Sequence, residues 1–252
     1  MHNAAFAHAG LPYRYIALNV PAGQLGEALS HLRNLGYIGA SVTMPHKVEA
    51  LSWVSHYEDS SYPEVRAVNT VRFRDATGFN TDTVGLRRSL STIRLAKGSK
   101  CLILGAGGAA AAAIAVLTRM NMEVSVWNRT RSRAESLVNQ MEMNAGVVDD
   151  LGLADYRLVI NCTSAGKSGD ELPIDWSSAR LGCVAYDLFY SPTPTPFLEG
   201  ALTKGLTAID GVEMLVFQGV EAWACWEIPQ AAPIDQMEKT VREYLSVRRR
   251  IH

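Results

Sequence analysis

Apolar positions in the first third of the chain alternate between two periods. Residues 24–35 carry apolar side chains at helical spacing, residues 37–43 read as a short strand, and residues 47–53 read as the opening of a helix. This is the pattern of a mixed α/β layer. From Lys100 the rhythm is more regular: apolar runs at residues 101–104, 124–127, 158–161, 184–188 and 206–209 are separated by mostly helical or turn segments, including an alanine run at 109–113 that opens a helix. Such repetition predicts a parallel sheet with helices on both faces. Residues 91–99 are polar and patternless and mark the expected junction. Residues 234–250, with Met237, Val241 and Leu245 spaced one turn apart, predict a last helix that packs back onto the first domain. The expected fold class is therefore α/β: an N-terminal α/β domain (1–94 and 226–252) plus a C-terminal Rossmann-type doubly wound parallel sheet (95–225).

At 252 residues the chain is long enough for two modest domains with real cores. With 48% hydrophobic and 19% charged residues and a formal charge of −1, nothing in the balance points to nucleic acid or to a solvating tail, which leaves a small molecule as the expected partner. The four cysteines (Cys101, Cys162, Cys183, Cys225) are far apart, and the first three lie in apolar runs; all are read as reduced core residues. The six histidines show no metal-ligand spacing, so no metal site is expected. No run approaches a membrane span of ~20 apolar residues, and no basic-then-apolar leader opens the sequence. The cytoplasm is the expected compartment.

After the run at 101–104 comes Gly105, Ala106, Gly107, Gly108 and Ala109, leading directly into a helix. Glycines there let the backbone turn tightly and approach a pyrophosphate, which the positive end of the helix then holds. A glycine-rich turn alone is weak evidence, since such turns after strands are common for steric reasons. The strand before, the helix after and a second strand at 123–127 supply the βαβ context that favours a dinucleotide. An NAD enzyme usually ends that second strand in Asp or Glu, to accept hydrogen bonds from the ribose hydroxyls. This chain has Asn128-Arg129-Thr130-Arg131-Ser132-Arg133 instead. Guanidinium groups there suit a 2′-phosphate, so NADP(H) is the expected cofactor. The competing reading, a solvated basic helix start, is disfavoured because cations at a helix N-terminus oppose the macrodipole, and Arg131 and Arg133 call for a compensating anion.

Two clusters in the first half concentrate small hydrogen-bonding groups around one cation and one anion: Ser41-Val-Thr43-Met-Pro45-His-Lys47, and Ala67-Val-Asn69-Thr70 followed by Gly78-Phe-Asn80-Thr81-Asp82. A lysine beside a carboxylate in a cleft can pass a proton to or from a hydroxyl. Singly, such residues are usually surface charges, turns or caps. Together, upstream of a Rossmann unit, they suggest a polyol-binding cleft.

On these residues the chain resembles the shikimate dehydrogenase family over nearly its whole length. The motifs are S-V-T-M-P-H-K at 41–47, A-V-N-T at 67–70, N-T-D at 80–82, G-A-G-G-A at 105–109, N-R-T-R-S-R at 128–133, I-N-C-T-S at 160–164, D-L-F-Y at 187–190 and D-G-V-E-M-L-V-F-Q at 210–218. The resemblance implies an NADP-dependent enzyme that interconverts 3-dehydroshikimate and shikimate, with residues 1–94 and 226–252 as the substrate domain. It implies Lys47 as catalytic acid/base with Asp82 as its partner, and Ser41, Thr43, Asn69, Tyr190 and Gln218 around the substrate. It also implies Gly105 to Ala109, Asn128, Arg129, Thr130 and Arg133 on the phosphates, with Thr163, Leu188, Gly211 and Met214 near the nicotinamide half; for Leu188 and Met214 a plain core role is the other reading. At Ser41 the family commonly has asparagine, and its forms fused to a dehydroquinase have serine. The family also has a strand and a Ser-x-Ser turn, which binds the substrate carboxylate, immediately before the Met-His-Asn that opens this sequence. The expectation is either a start assigned too late or a chain without that first strand of ~5–6 residues. A quinate/shikimate dehydrogenase and a non-catalytic NADPH-binding regulatory protein stay open as alternatives, as do monomer and homodimer.

Overall fold

The structure is a computed structural model that describes residues 1–58, 62–165 and 171–249. Along the first layer come helices α1 (His2–His8) and α2 (Leu25–Asn34), strand β1 (Gly39–Ser41), helix α3 (Ala50–Trp53), strands β2 (His56–Tyr57), β3 (Thr70–Arg72) and β4 (Thr77–Phe79), and helix α4 (Thr81–Leu90). The second layer follows as β5 (Lys100–Leu104), α5 (Gly108–Arg119), β6 (Glu123–Trp127), α6 (Arg131–Met141), β7 (Ala145–Val147), β8 (Leu158–Asn161), β9 (Val184–Asp187), α7 (Pro196–Thr203) and β10 (Thr207–Ile209). Helices α8 (Val212–Cys225) and α9 (Ile234–Arg249) close the order. The final residue of the expected last helix, Arg250, lies outside the described residues, as does His252.

The first sheet has the order β1-β3-β4-β2, with antiparallel β1/β3 and β3/β4 pairs and a parallel β2/β4 pair. Leu25 and Leu29, one helical turn apart on α2, are buried against Val42, Val71 and Phe73 of this layer. The strand expected at 37–43 is three residues long, because its partner β3 offers only three residues to pair with; the Met44–Pro45 bond that follows is cis. Residues 45–49 are turns rather than the expected first turn of a helix, and α3 begins at Ala50.

The second sheet is parallel throughout, in the order β10-β9-β8-β5-β6-β7. This is the doubly wound order, and chain direction reverses across the sheet between β5 and β8, where the crevice for a ligand lies in such folds. Central strand β8 is buried at every position and β5 at all but Lys100, as sheets covered on both faces require. The alanines of α5 are buried too; their small size seats the helix close over β5 and β6. Edge strand β7 escaped the hydrophobic pattern because it is three residues long, contains Gly146 and is half exposed.

Helix α9 buries Met237 and Val241, with Leu245 alongside, against α1 and α8. Phe6, Trp223 and Trp226 complete that core, and Trp223 Nε1 donates to His2 Nδ1 at 3.0 Å. Helix α8 thus packs with first-layer elements, while Met214 near its start reaches the core of the second sheet. No helix among the described residues is long and apolar enough to cross a membrane.

The buried His2 ring accepts from Trp223 and stacks on Tyr15 at 4.7 Å, and burial, with the nearby terminal amine second, lowers its pKa to about 4. Between pH ~6.5 and ~4 the unfolded chain takes up a proton that the folded chain refuses, so stability is full above that window and declines as pH falls through it. Urea midpoints compared at pH 7.5 and 4.5 are expected to show a loss on the order of 3 kcal/mol that His2→Asn, which keeps an acceptor for Trp223, largely abolishes.

Candidate active site

Lys47 Nζ donates to Asp82 Oδ2 at 2.6 Å, with both side chains partly reached by solvent. Each partner is held by its own element. Val68 N donates to the Lys47 carbonyl at 2.8 Å, which fixes the lysine's backbone beside the entry to β3. Asp82 sits in the first turn of α4, where the helix dipole favours an anion and the N-cap Asn80 accepts from Asp82 N at 3.1 Å.

Asn69 joins this pair to the rest of the molecule. Its backbone is tied into the sheet, accepting from Val42 N and donating to Phe79 O. Its Oδ1 accepts from Thr81 N at 2.7 Å, while its Nδ2 faces Asp82 Oδ1 at 2.9 Å, Thr81 Oγ1 at 3.1 Å and Gln218 Oε1 at 3.3 Å. Gln218 comes from α8, 149 positions away, and reaches Asn69 because α4 and α8 touch at Gly85. A Cβ there would lie 2.9 Å from Met214 O and 3.0 Å from Gln218 N.

Ser41 and Thr43 are exposed and line a cavity of about 220 Å³ together with Ile16, Leu18 and Asn19. Lys47, Asp82, Asn69 and Gln218 therefore form one network, and Ser41 at the end of β1 and Thr43 just after it precede the turn that carries Lys47. Tyr190 is not part of it: the ring is 38% exposed, stacks on Phe189 at 6.2 Å, and makes no hydrogen bond to the network among the described residues. Partial burial, with the Tyr244 phenol nearby, raises its pKa.

At the carboxyl ends of the second sheet, Gly105 holds φ +114°, a conformation that favours glycine, and its N–H donates to Trp127 O at 2.8 Å. That bond sets the glycine turn beside the loop after β6. A Cβ at Gly107 or Gly108 would meet nothing within 4 Å, so the N-terminus of α5 opens onto free space with its backbone N–H groups available. In the neighbouring loop, Asn128 Nδ2 donates to Thr130 O at 2.8 Å, and Thr130 stands at the N-cap of α6. Arg129 and Arg133 are exposed and form no ion pair among the described residues. Arg131 differs: it pairs with Glu135 at 2.7 Å and with Asp149. The compensating anion that its place at the helix start calls for comes from the protein itself.

Thr163 follows β8 and Leu188 follows β9, beside the glycine turn and the start of α8 respectively. A Cβ on Gly211 would lie 2.2 Å from Leu188 O, so the turn before α8 presses directly on the loop after β9. Met214 and Leu188 pack against the core of the second sheet, which satisfies their hydrophobic surface without any ligand. Asn80, Thr81, Asn161, Asp187 and Thr195 were not singled out as site residues, yet they hold the site's backbone in place. The signal for Asn161 and Asp187 was present: each is a polar residue ending an apolar strand run, where burial demands a partner. Among the described residues no group of three or more His, Cys, Asp or Glu is arranged for a metal ion.

A doubly wound sheet with an open glycine turn, the exposed Arg129 and Arg133 after its second strand and a lysine–carboxylate pair in the adjoining layer define an NADP-dependent oxidoreductase. Two family models match: the shikimate dehydrogenase substrate binding domain over residues 1–71, and shikimate / quinate 5-dehydrogenase over residues 89–168. A shikimate dehydrogenase (NADP(+)) of Natronomonas pharaonis is 36% identical over 249 residues, covering 97% of this chain and 93% of its own. The crystal structure of shikimate 5-dehydrogenase from Thermus thermophilus in complex with NADP(H) and shikimate superposes with a TM-score of 0.86 at 32% identity, covering 96% of this chain and 92% of that one. The ligand-free form of 5-ketofructose reductase of Gluconobacter sp. strain CHM43 gives 0.85 at 30% identity, with 96% and 91% covered. The chain belongs to the shikimate dehydrogenase family.

Gly85→Ala places a methyl group against α8 backbone. Overpacking of this kind costs ~1–3 kcal/mol, more than the ~1 kcal/mol that alanine gains in helix propensity. The urea midpoint is therefore expected to fall; a rise would mean that the two helices part without cost.

Proposed function

We infer that the protein is an NADP-dependent shikimate dehydrogenase that reversibly reduces 3-dehydroshikimate to shikimate in aromatic amino-acid biosynthesis. The observation that carries this reading is the 2.6 Å Lys47–Asp82 pair, held by Asn69 and Gln218 in the layer next to the glycine turn. NADPH bound on that turn supplies the hydride for the ring carbonyl. Lys47 gives a proton to the carbonyl oxygen in reduction and takes it from the hydroxyl in oxidation. Asp82 holds the ammonium in place and accepts from a neighbouring ring hydroxyl. Asn69 and Gln218 orient the ring, Ser41 and Thr43 line its approach, and we assign Tyr190 to the substrate as well.

On the cofactor side, we assign Gly105, Ala106, Gly107, Gly108 and Ala109 to the pyrophosphate. Asn128, Arg129, Thr130 and Arg133 take the 2′-phosphate, while Thr163, Leu188, Gly211 and Met214 take the nicotinamide half. The substrate domain is residues 1–94 with 226–252, the cofactor domain is 95–225, and α8 lies along their seam. Four free cysteines favour a reducing compartment, the cytoplasm, and the enzyme acts there as a monomer or homodimer.

The deciding experiment is a steady-state assay with shikimate and NADP, followed by absorbance of the reduced cofactor, with quinate and 5-ketofructose as competing substrates in their respective directions. Turnover with shikimate is expected to exceed both; NADPH binding without turnover of any of them would make the protein a binding module. Lys47→Ala is expected to lower turnover by about 10²–10⁴-fold with NADPH affinity nearly unchanged.

The arginine loop makes a sharper distinction. Arg129→Ala removes a charge-assisted contact worth ~1.5–3 kcal/mol, roughly ten- to a hundredfold in NADP affinity, with little change for NAD. Arg131→Ala is expected to leave the NADP/NAD ratio nearly unchanged, because that guanidinium is already engaged by Glu135 and Asp149. Titration of both variants with both cofactors checks this, and equal losses would put Arg131 in the clamp as well.

A further inference from the structure

We propose that Asp187 is a positioning residue for the nicotinamide half of the cofactor, acting through Asn161 and through the backbone of the loop that carries Leu188. The proposal rests on the NADP reading above and assigns a role to a carboxylate that this reading does not use. Asp187 ends β9, and its side chain is fully buried. Asn161, equally buried, ends the neighbouring strand β8, with the two residues paired in register.

Three groups donate to the Asp187 carboxylate. Asn161 Nδ2 and Phe189 N both reach Oδ1 at 3.0 Å, and Thr195 Oγ1 reaches Oδ2 at 2.6 Å. The Thr195 oxygen also accepts from Leu198 N, so its proton points to the carboxylate. Burial pushes Asp187 above the usual carboxylate range, and these three donors pull in the other direction.

Each donor controls a different piece of the crevice. Asn161, its amide hydrogen committed to Asp187, turns Oδ1 toward Thr163, where it accepts from N at 2.9 Å and Oγ1 at 2.7 Å. Phe189 N fixes the backbone just beyond Leu188, whose own N–H is bound to Asn161 O at 3.1 Å. Gly211 rests on Leu188 O and donates to Phe189 O at 3.3 Å, so the turn before α8 follows the same loop. One carboxylate therefore sets three segments that carry residues assigned to the nicotinamide half. None of its direct bonds goes to the glycine turn or the arginine loop.

This division gives the test. Asp187→Ala, Asp187→Asn and Thr195→Val are titrated with NADPH, and separately with 2′,5′-ADP, which carries the 2′-phosphate and adenosine but no nicotinamide. Asp187→Ala is expected to weaken NADPH by about tenfold or more and to lower kcat, with 2′,5′-ADP bound within about twofold of the unmodified protein. Asp187→Asn retains an acceptor oxygen for Asn161 and Phe189 and is expected to recover most of the loss. Arg129→Ala is the inverse control, losing both ligands alike. If Asp187→Ala does not fold, Thr195→Val, which removes one donor, carries the same expectation at smaller size. Parallel loss of both ligands in the folded variants would make Asp187 a general support of the sheet and overturn the proposal, as would unchanged NADPH binding. Failure of the unmodified protein to bind either ligand would defeat the NADP reading itself, and this inference with it.

Discussion

The contact between α4 and α8 is the constraint on which the two layers depend. Helix α4 carries Asp82 of the polar network in its first turn and continues into the second layer, where Leu86 and Leu90 pack with α5. Helix α8 carries Met214 into that same core and Gln218 into the network, and buries Val216 and Trp223 with α1 and α9. Their closest approach is at Gly85, where a side chain would strike the α8 backbone. Arg88 lies over the Phe217 ring at 4.5 Å, and Tyr186 of β9 donates to Ser89 at 2.8 Å, so polar and cation–π contacts extend the same seam. A site shared by two sheets needs such a seam, because a shift of about 1 Å between reacting groups is already costly.

The two halves of the site are built on different physical terms. Around Lys47 and Asp82 the support comes from neutral amides and hydroxyls, which orient the pair while the side chains keep some contact with solvent. At the ends of β8 and β9 a carboxylate is buried outright, and every oxygen must find a donor or the cost reaches several kcal/mol. The first arrangement leaves room for a proton to move. The second leaves the backbone little freedom.

Much of this was legible in the sequence. The runs at 101–104, 124–127 and 158–161 became β5, β6 and β8 within a residue, since β5 and β8, buried on both faces, read as continuous apolar runs and β6 keeps apolar residues at 124, 126 and 127. The glycine turn and the arginine loop were legible because their chemistry is local. Other features were hidden by distance or by shortness. Nothing near Gly85 announces that it faces α8, and Gln218 meets Asn69 only through the tertiary fold. Strands β1 and β7 are three residues each, too short to show a period, and α1 joins the core through Phe6 and His2, which both meet Trp223 at the other end of the chain. Arg131 looks like its neighbours in sequence and differs from them solely by what Asp149 and Glu135 do in space.

The Asn69 amide has two hydrogens and faces three acceptors, in Asp82, Thr81 and Gln218. Two hydrogens cannot serve all three; Thr81 Oγ1 also has Thr70 Oγ1 within 3.2 Å, and the longest of the amide's contacts, 3.3 Å, is the one to Gln218. A polar pocket normally trades a water bond for a ligand bond and gains little from the exchange. Gln218 is half-buried, so solvent can serve its Oε1, and a ligand hydroxyl that enters there takes over that bond, whereas a molecule without a donor leaves the oxygen short of a partner. The amide's shortage of protons thereby becomes a source of selectivity: molecules that bring a donor are favoured over equally shaped ones that do not.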